Sequence, residues 1–321
     1  MIKPIMANPQ LLFSSEKQVS IQNIDDHIFR SNNVFVSILR EDLLHKEVSG
    51  NKFRKLKYNL IEAQEQRKDT LLTYGGAFSN HIAATAKAGQ ICGFKTIGII
   101  RGEELGIDLT KTLQQNATLR LAYDCGMRFY FVSRSDYRLK NSTSFRESLK
   151  QKFGDFYEIP EGGTNHLAVK GCAEILNENT AEYDYIMCPV GTGGTIAGLI
   201  EGSLSHQKVI GFPALKGEFL SSEIENFTSK NNWELNKNYH FEGYAKVNSD
   251  LIAFINSFKK ARNIQLDPIY TGKMMYGLTD LISNAFFSEN TRILAVHTGG
   301  LQGISGINYR LKKSGKSTIK V

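Results

Sequence analysis

A glycine-rich loop between two apolar runs is the feature that most constrains the fold of this chain. The loop comprises Gly191, Thr192, Gly193, Gly194 and Thr195. It follows the apolar residues 185–190 and precedes the apolar residues 196–200, which predicts a strand, a tight turn and a helix. Glycines allow positive φ in the turn, and the free N–H groups of the first helical turn point at an anion. We therefore predict a phosphate site, with an ordinary strand-to-helix turn as the alternative.

The loop differs from two common nucleotide-binding patterns. The dinucleotide fingerprint requires a third glycine where this chain has Ile196. A triphosphate loop requires a Lys-Ser or Lys-Thr pair, and none follows the glycines. A dinucleotide or ATP is therefore disfavoured as the ligand.

A lysine in an earlier segment suggests which compound carries the phosphate. Lys52 lies within residues 49–55, shortly after the strand-like residues 34–39. A lysine amine forms a Schiff base with an aldehyde, so Lys52 and the glycine loop would bind the two ends of a phosphorylated aldehyde. Pyridoxal 5'-phosphate fits that description best. Taken alone, Lys52 is also compatible with a solvated cation at the start of an amphipathic helix.

A third segment has the same order of strand, glycine turn and helix. Residues 69–76 form the strand-like run and the turn, and the alanine-rich residues 82–90 read as a helix. Ser79, Asn80 and His81 would lie at the start of that helix, where N–H groups favour a carboxylate. We therefore predict a site for a substrate anion. The alternative is N-capping by Ser79 or Asn80, with His81 as a structural hydrogen-bonding residue.

The composition excludes several classes of protein. The chain has 321 residues, of which 41% are hydrophobic, enough for two domains with apolar cores, and no apolar run could span a bilayer. No continuous apolar stretch precedes a cleavage site at the N-terminus, so we expect a cytoplasmic protein without a membrane partner. The cysteines lack Cys-x-x-Cys spacing and clustered histidines, so no metal site or disulfide framework is predicted. They are Cys92, Cys125, Cys172 and Cys188.

The positive charge of the chain does not indicate nucleic-acid binding. The formal net charge is +7. The basic residues are spread along the sequence and do not alternate with aromatic residues, as a base-stacking surface would require. A solvated surface, or attraction of anionic substrates, accounts for the excess.

Strand-like and helical patterns alternate along the chain. Strand-like runs occur at residues 94–100, 128–132, 208–212 and 292–297, and helical patterns at residues 109–124 and 250–262. This alternation predicts an α/β protein whose mostly parallel sheets have helices on both faces.

Five segments together resemble the 1-aminocyclopropane-1-carboxylate deaminase and D-cysteine desulfhydrase family. They are residues 50–56, 79–81, 190–195, 266–273 and 297–300, which occur in the order of that family and span nearly the whole chain. The family belongs to the pyridoxal-phosphate enzymes related to the tryptophan synthase β subunit, which are called fold type II. The resemblance implies two three-layer α/β/α domains with mostly parallel sheets, and a homodimer.

The resemblance also implies the domain boundaries and the roles of individual residues. Residues 1–54 and 164–321 would form a large cofactor-binding domain, and residues 55–163 a small inserted domain that clamps the substrate. Lys52 would bind the cofactor covalently and move protons at Cα, and the glycine loop would hold the phosphate. Asn80 would bind the phenolic oxygen of the cofactor. The expected substrate-binding residues are Ser79, Asn80 and His81.

Two tyrosines also match active-site residues of the family. Tyr270 matches the tyrosine that packs over the cofactor, and Tyr244 matches a second tyrosine of the site. Without the resemblance, both would be interpreted as buried core aromatics.

Three positions favour the D-cysteine desulfhydrase branch. Deaminases of the family resemble one another in having glutamate, leucine and glutamine where this chain has Thr271, Thr298 and His81. A hydroxyl at 271 would pair with the ring nitrogen of the cofactor more weakly than a carboxylate, and ring opening needs the deeper electron sink more than elimination does.

We therefore expect a lyase that acts on a small amino acid, with D-cysteine giving pyruvate, hydrogen sulfide and ammonia. One alternative is a 1-aminocyclopropane-1-carboxylate deaminase that produces 2-oxobutanoate and ammonia. Another is a non-catalytic protein that binds a phosphorylated ligand. Retention of Lys52 argues against the second alternative, because binding alone needs no Schiff base.

Overall fold

The apolar runs of the sequence form the strands of two separate sheets. The structure, a computed structural model, describes residues 7–14 and 18–321. The chain divides into a smaller unit, Met1–Glu16 with Leu56–Thr164, and a larger unit, Lys17–Lys55 with Asn165–Val321. Residues 7–14 group with the smaller unit, where the Asn8 N–H donates to the Cys92 carbonyl oxygen at 2.7 Å. The domain boundaries given above stay a prediction.

Strands alternate with helices throughout the described part of the chain. The strands are β1 (Ile21–Ile24), β2 (Phe35–Leu39), β3 (Thr70–Gly76), β4 (Lys95–Arg101), β5 (Arg128–Val132), β6 (Tyr157–Ile159), β7 (Tyr185–Val190), β8 (Lys208–Pro213), β9 (Trp233–Leu235) and β10 (Arg292–Val296). The α-helices are α1 (Gln10–Phe13), α2 (His27–Ser31), α3 (Asn51–Glu65), α4 (Asn80–Cys92), α5 (Glu104–Ile107), α6 (Leu109–Gln115), α7 (Ala117–Asp124), α8 (Arg134–Arg138), α9 (Thr143–Phe153), α10 (His166–Ala173), α11 (Gly194–Gly202), α12 (Phe219–Glu225), α13 (Ser249–Arg262), α14 (Thr271–Ser283) and α15 (Gly303–Lys313).

The larger unit contains a six-stranded sheet in the order β1-β2-β10-β7-β8-β9. The β1–β2 pair is antiparallel and the other pairs are parallel. Along β7, Met187 packs into one buried apolar cluster, whereas Ile186 and Cys188 pack into another. Successive side chains of a strand point to opposite faces, so this sheet is covered on both. Helices α13 and α14 contribute to the first cluster, and α10 and α11 to the second.

The smaller unit is built in the same way on a four-stranded parallel sheet, in the order β5-β4-β3-β6. The β4 residues Ile99 and Ile100 pack into different clusters on opposite faces. Leu149 of α9 joins the first cluster, and Ile82 of α4 joins the second. Each unit is therefore a three-layer α/β/α structure, which confirms the predicted fold class.

One helix expected from the sequence is divided in the structure. The pattern over residues 109–124 predicts a single helix, but α6 ends and α7 begins at Asn116. Asn116 is extended, with φ −129° and ψ 97°, and its side-chain oxygen accepts from the Leu119 N–H at 2.9 Å. This capping bond satisfies the start of α7 in a way that a continuous helix would not allow.

Three neighbouring parallel strands place the candidate site. Strands β2, β10 and β7 are adjacent and parallel, so their carboxyl ends lie at the same edge of the sheet. The segments that follow them contain Lys52, Thr298 and Gly191 respectively. Ligands of open α/β sheets bind at such an edge.

A search for membrane-spanning helices within residues 7–14 and 18–321 finds none with the required length and apolar character.

Candidate active site

The glycine loop connects β7 to α11 as the sequence predicts. Gly193 has φ +84°, in the left-handed region that favours glycine. A Cβ atom on Gly191 would lie 3.2 Å from Cε1 of Tyr270, so only a residue without a side chain fits there comfortably. No side chain caps the N-terminus of α11. Its first N–H groups are therefore available to an anion such as a phosphate.

Backbone packing holds the start of α3 against two distant segments. Gly50 has φ +62°, and a Cβ atom there would lie 2.0 Å from the carbonyl oxygen of Thr298. The Asn51 N–H donates to that same oxygen at 3.2 Å. The Asn51 side-chain amide donates to Thr195 Oγ1 at 2.8 Å. Lys52, the next residue, is thereby placed beside the glycine loop and the segment after β10.

The amine of Lys52 is prepared to act as a nucleophile. Burial first, and the nearby positive charge of Lys55 second, lower the pKa of Lys52 to about 7, while Cys172 acts in the opposite direction. The neutral amine is the form that attacks an aldehyde, and near neutral pH a substantial fraction of Lys52 is neutral.

Lys55 is a further candidate residue that the sequence interpretation did not single out. Its side chain is buried, and its Nζ donates to Thr192 Oγ1 in the glycine loop at 3.3 Å. Burial lowers the pKa of Lys55 to about 8. A desolvated lysine on a phosphate-binding loop is well placed to neutralise an anion. The available signal was its spacing, because a residue three positions after Lys52 lies on the same face of a helix.

The segment before α14 is organised by Asp267. One carboxylate oxygen of Asp267 accepts from the N–H groups of Ile269 and Tyr270, at 2.8 and 2.9 Å. The other accepts from the Thr271 N–H and from the Thr271 hydroxyl, each at 2.8 Å. Burial raises the pKa of Asp267, and these donors act against that rise by favouring the charged carboxylate.

These bonds limit what Thr271 can offer to the ring nitrogen of the cofactor. The Thr271 hydroxyl also accepts from the Asp267 N–H at 2.9 Å, and the residue is fully buried. A hydroxyl has a single proton, and this one is given to Asp267. Towards another partner, Thr271 has only a lone pair left, so it can accept a hydrogen bond but not donate one.

The two candidate tyrosines lie near each other, and one of them, Tyr270, lies beside the glycine loop. Their ring centroids are 6.3 Å apart, with an angle of 65° between the planes. Tyr270 packs against Gly191. Tyr244 is 42% exposed, which does not fit the alternative interpretation of a core aromatic. The predicted packing of Tyr270 over the cofactor stays a prediction.

Thr298 is held through its neighbour His297. The His297 Nε2 donates to the carbonyl oxygen of Gln265 at 2.7 Å, and its Nδ1 accepts from the Gly299 N–H at 3.2 Å. Thr298 itself is buried. These contacts fix the backbone against which Gly50 packs.

Ser79 and Asn80 begin α4 in the smaller unit. The Ser79 hydroxyl accepts from the Ile82 N–H at 3.4 Å, a long capping bond that leaves the hydroxyl proton available. The side-chain oxygen of Asn80 is buried without a hydrogen-bond partner within the described residues. Such an amide is typical of a ligand-binding position, because burial without a partner is costly. The predicted contact between Asn80 and the phenolic oxygen of the cofactor would use the NH2 of this amide and stays a prediction.

His81 is placed as a structural residue. It is buried, and its Nε2 lies 2.8 Å from the hydroxyl of Thr73. That hydroxyl donates its proton to the Ile159 carbonyl oxygen at 2.8 Å, so His81 Nε2 must be the donor to Thr73. His81 thereby links α4 to the neighbouring strands β3 and β6. Its contact with the substrate stays a prediction.

The site can be tested for its fit to a metal ion and to a phosphorylated aldehyde. No group of three or more His, Cys, Asp and Glu side chains in residues 7–14 and 18–321 is arranged to bind a metal ion. The four cysteines are free thiols. A neutral lysine amine and an uncapped helix N-terminus at one edge of a parallel sheet are what a phosphorylated aldehyde requires, and they fit pyridoxal phosphate.

Comparison with known proteins also indicates an enzyme that uses pyridoxal phosphate. The sequence profile of the pyridoxal-phosphate-dependent enzymes matches residues 27–299. The chain is therefore an enzyme of this class and uses pyridoxal phosphate, as the sequence predicted.

Individual relatives identify the family more closely. A mitochondrial protein of Arabidopsis thaliana, named bifunctional D-cysteine desulfhydrase/1-aminocyclopropane-1-carboxylate deaminase, is 31% identical over 83% of this chain and 72% of its own length. A 1-aminocyclopropane-1-carboxylate deaminase of a Bradyrhizobium strain is 29% identical over 82% of this chain and 85% of its own length. The crystal structure of an ACC deaminase homologue matches with a TM-score of 0.79 and 28% identity, covering 98% of this chain and 99% of the other. The chain belongs to the 1-aminocyclopropane-1-carboxylate deaminase and D-cysteine desulfhydrase family, and the predicted fold is confirmed.

Proposed function

We propose that the chain is a lyase that eliminates the β-substituent of a small amino acid, with D-cysteine as its substrate. The overall reaction consumes one water and gives pyruvate, hydrogen sulfide and ammonia. Bound pyridoxal phosphate supplies an electron sink for the pair released at Cα. Lys52 takes the proton from Cα, and the sulfur leaves from Cβ with the electrons of its C–S bond.

The remaining site residues bind the cofactor and the substrate and orient them. The N–H groups at the start of α11 hold the phosphate together with Lys55. Asn80 holds the phenolic oxygen of the cofactor, and Ser79 with the N–H groups near it binds the carboxylate of the substrate. Tyr270 packs beside the cofactor and Tyr244 faces the amino acid.

The hydrogen bonding of Thr271 is the observation that carries the choice of D-cysteine. Its proton is committed to Asp267, so it offers the ring nitrogen a neutral acceptor. A neutral oxygen holds a proton on that nitrogen less firmly than a carboxylate would, which makes the electron sink shallower. Elimination of a good leaving group such as sulfide tolerates a shallow sink better than opening of a cyclopropane ring.

Ring opening of 1-aminocyclopropane-1-carboxylate is the second candidate function. The Bradyrhizobium relative bears the name of that activity, and the Arabidopsis relative bears the names of both. The two functions share the cofactor and Lys52, so they differ only in the amino acid that the site accepts and in the depth of the sink it needs.

The products from a set of substrates decide between the two. Purified protein is assayed side by side with D-cysteine, L-cysteine, D-serine, β-chloro-D-alanine and 1-aminocyclopropane-1-carboxylate. We expect sulfide and pyruvate from D-cysteine, little 2-oxobutanoate from the cyclopropane substrate, and no product with the Lys52→Ala variant. Efficient release of 2-oxobutanoate by the unmodified protein would refute the choice of D-cysteine and favour the deaminase.

We also propose that the protein is cytoplasmic, as its N-terminal sequence suggests, and that it is a homodimer, as the family resemblance implies. Light scattering during size-exclusion chromatography gives the mass of the assembly, and a monomer would contradict the proposal. Fractionation of the source cells tests the location.

A further inference from the structure

The loop that carries Tyr244 has an uncommon backbone conformation. Phe241, Glu242, Gly243 and Ala245 have φ values of 50°, 65°, 118° and 56°. Positive φ is ordinary for glycine but unfavourable for residues with a Cβ atom. Three such residues within five positions persist only when contacts outside the loop hold them there.

Lys273 on the first turn of α14 provides such contacts. Its side chain is 1% exposed, and its Nζ donates to the carbonyl oxygens of His240 and Gly243, each at 2.8 Å. The Gly243 N–H also donates to the His240 oxygen at 3.0 Å, which closes the turn. Burial lowers the pKa of Lys273 to about 8, with Asp267 acting in the opposite direction. The ammonium group is therefore largely removed from water, and its protons are directed at the loop.

The residue before α14 also contacts the candidate active site. Tyr270 immediately precedes α14 and packs against Gly191 of the glycine loop. Tyr244 lies against Tyr270, with their ring centroids 6.3 Å apart. One short segment thus positions one tyrosine directly and a second one through the bonds made by Lys273.

We propose that Lys273 is a positioning residue that holds Tyr244 in place by binding the carbonyl oxygens of His240 and Gly243. The structural part of this inference stands on the contacts just described. Its consequence for turnover rests on the proposed function, in which Tyr244 faces the substrate.

Lys273→Met removes both bonds while keeping a side chain of similar length. The matched control is Lys246→Met, because Lys246 is an exposed lysine that follows the same loop. Hydrogen–deuterium exchange is measured at pH 7 on residues 240–246 of the cofactor-free protein. We expect amide exchange in that segment to become about tenfold faster in Lys273→Met, and to be unchanged in the control. Unchanged exchange in Lys273→Met overturns the proposal.

The kinetic measurement separates positioning from general stability. Lys273→Met should keep its full content of pyridoxal phosphate, while kcat/KM falls about tenfold. Tyr244→Phe should lower kcat/KM by a smaller factor in the Lys273→Met variant than in the unmodified protein. The reason is that Lys273→Met has already displaced the tyrosine. Faster exchange with unchanged kcat/KM overturns the proposal, since Lys273 would then serve only local stability.

A second variant covers the case in which Lys273→Met does not fold. Gly243→Ala leaves Lys273 intact but places a Cβ atom at φ +118°, and that atom would have open space, with Lys216 Cβ the nearest at 3.9 Å. Gly243→Ala should make amide exchange in residues 240–246 faster and lower kcat/KM, as Lys273→Met does. If either effect is absent, the proposal is overturned. If the unmodified protein turned over no substrate, the proposed function would fail, while the exchange experiment would still decide whether Lys273 holds the loop.

Discussion

The hydroxyl of Thr271 donates to Oδ1 of Asp267 at 2.8 Å and accepts from the backbone N–H of the same residue at 2.9 Å. This reciprocal pair fixes both the start of α14 and the direction of the threonine hydroxyl. The family resemblance implies a glutamate of the deaminases at the position of Thr271. The pair therefore connects the local folding of the segment to the electronics of the cofactor.

Asp267→Asn should destabilise the protein and change the visible spectrum of its bound cofactor. An asparagine side chain presents one oxygen and one NH2 group, so two of the four donors that now bind Asp267 would lose their partner. We expect the free energy of unfolding of the cofactor-free protein to fall by about 2 to 4 kcal/mol. Urea unfolding measures this change, and the visible spectrum of the loaded protein should shift as Thr271 reorients.

The control for this variant is Asp280→Asn. Asp280 lies on α14, the helix that follows Asp267, and accepts from the hydroxyl of Tyr239 at a partly buried position. Its replacement should lower the free energy of unfolding by less than about 1 kcal/mol, because water can reach the groups that lose a partner. Equal unfolding midpoints for Asp267→Asn and the unmodified protein would contradict the importance of the Asp267 bonds.

The lowered pKa of Lys52 should be visible in the pH dependence of cofactor binding. Below its pKa the amine is protonated and cannot attack an aldehyde, and above it the amine is neutral. The rate at which cofactor-free protein binds pyridoxal phosphate should therefore rise through about pH 7 and level off above it. A lysine with the ordinary value of 10.5 would give a rate that continues to rise beyond pH 9.

Stopped-flow absorbance follows this rate. Borohydride reduction followed by peptide mapping should then find the pyridoxyl group on Lys52. An adduct on another lysine, or none, would exclude Lys52 as the residue that binds the cofactor covalently.

Lys55 should contribute to cofactor affinity mainly through the phosphate. Lys55→Met removes a charged donor from the glycine loop, and a charge-assisted hydrogen bond contributes about 1.5 to 3 kcal/mol, so the Kd for pyridoxal phosphate should rise about tenfold to hundredfold. The Kd for pyridoxal, which lacks the phosphate, should rise less, because pyridoxal loses only the effect of Lys55 on the pKa of Lys52. Lys57→Met, a matched change two residues along α3, should alter neither value. Equal losses for pyridoxal and its phosphate would show that Lys55 acts on something other than the phosphate.

Asn80 and Ser79 are neighbours whose replacement should have opposite effects on stability. Asn80→Ala removes a buried oxygen that lacks a hydrogen-bond partner within the described residues, so the cofactor-free protein should become more stable, by up to about 1 kcal/mol. Ser79→Ala removes the N-terminal cap of α4 and should lower the free energy of unfolding by about 1 kcal/mol. Thermal unfolding without cofactor measures both changes.

The functional effects of the two replacements should also differ. Asn80→Ala should change the visible spectrum of the loaded protein, whereas Ser79→Ala should raise KM for the substrate and leave that spectrum unchanged. If both variants only lowered the melting temperature, the capping alternative would be correct.

The sequence revealed the parts of the site that depend on local backbone requirements. The glycines at 191 and 193 are needed for close approach and positive φ, and such needs are visible in a one-dimensional pattern. The strands that lead into the site were recognisable from their apolar runs. The break at Asn116 was hidden, because apolar residues continue on both sides of it while one capping bond divides the helix.

Relationships between side chains were harder to predict. Asp267 and Thr271 are visibly four residues apart, but the direction of the hydroxyl proton emerges only from counting donors and acceptors in three dimensions. The bonds from Lys273 to the loop 30 residues or more before it depend on tertiary packing that no local pattern encodes. His81 illustrates the converse, since its neighbours in sequence suggested a ligand site while Thr73 and Ile159 give it a structural partner.

The contact between Gly50 and the Thr298 carbonyl has a consequence for the order of events during synthesis. Lys52 is translated 246 residues before Thr298, whose carbonyl oxygen belongs to the backbone against which the helix of Lys52 is placed. Strand β2 likewise waits for β10, its parallel neighbour in the sheet. A nascent chain therefore carries the reactive lysine long before it can hold the cofactor, and a product truncated ahead of residue 298 would retain that lysine without a place for it.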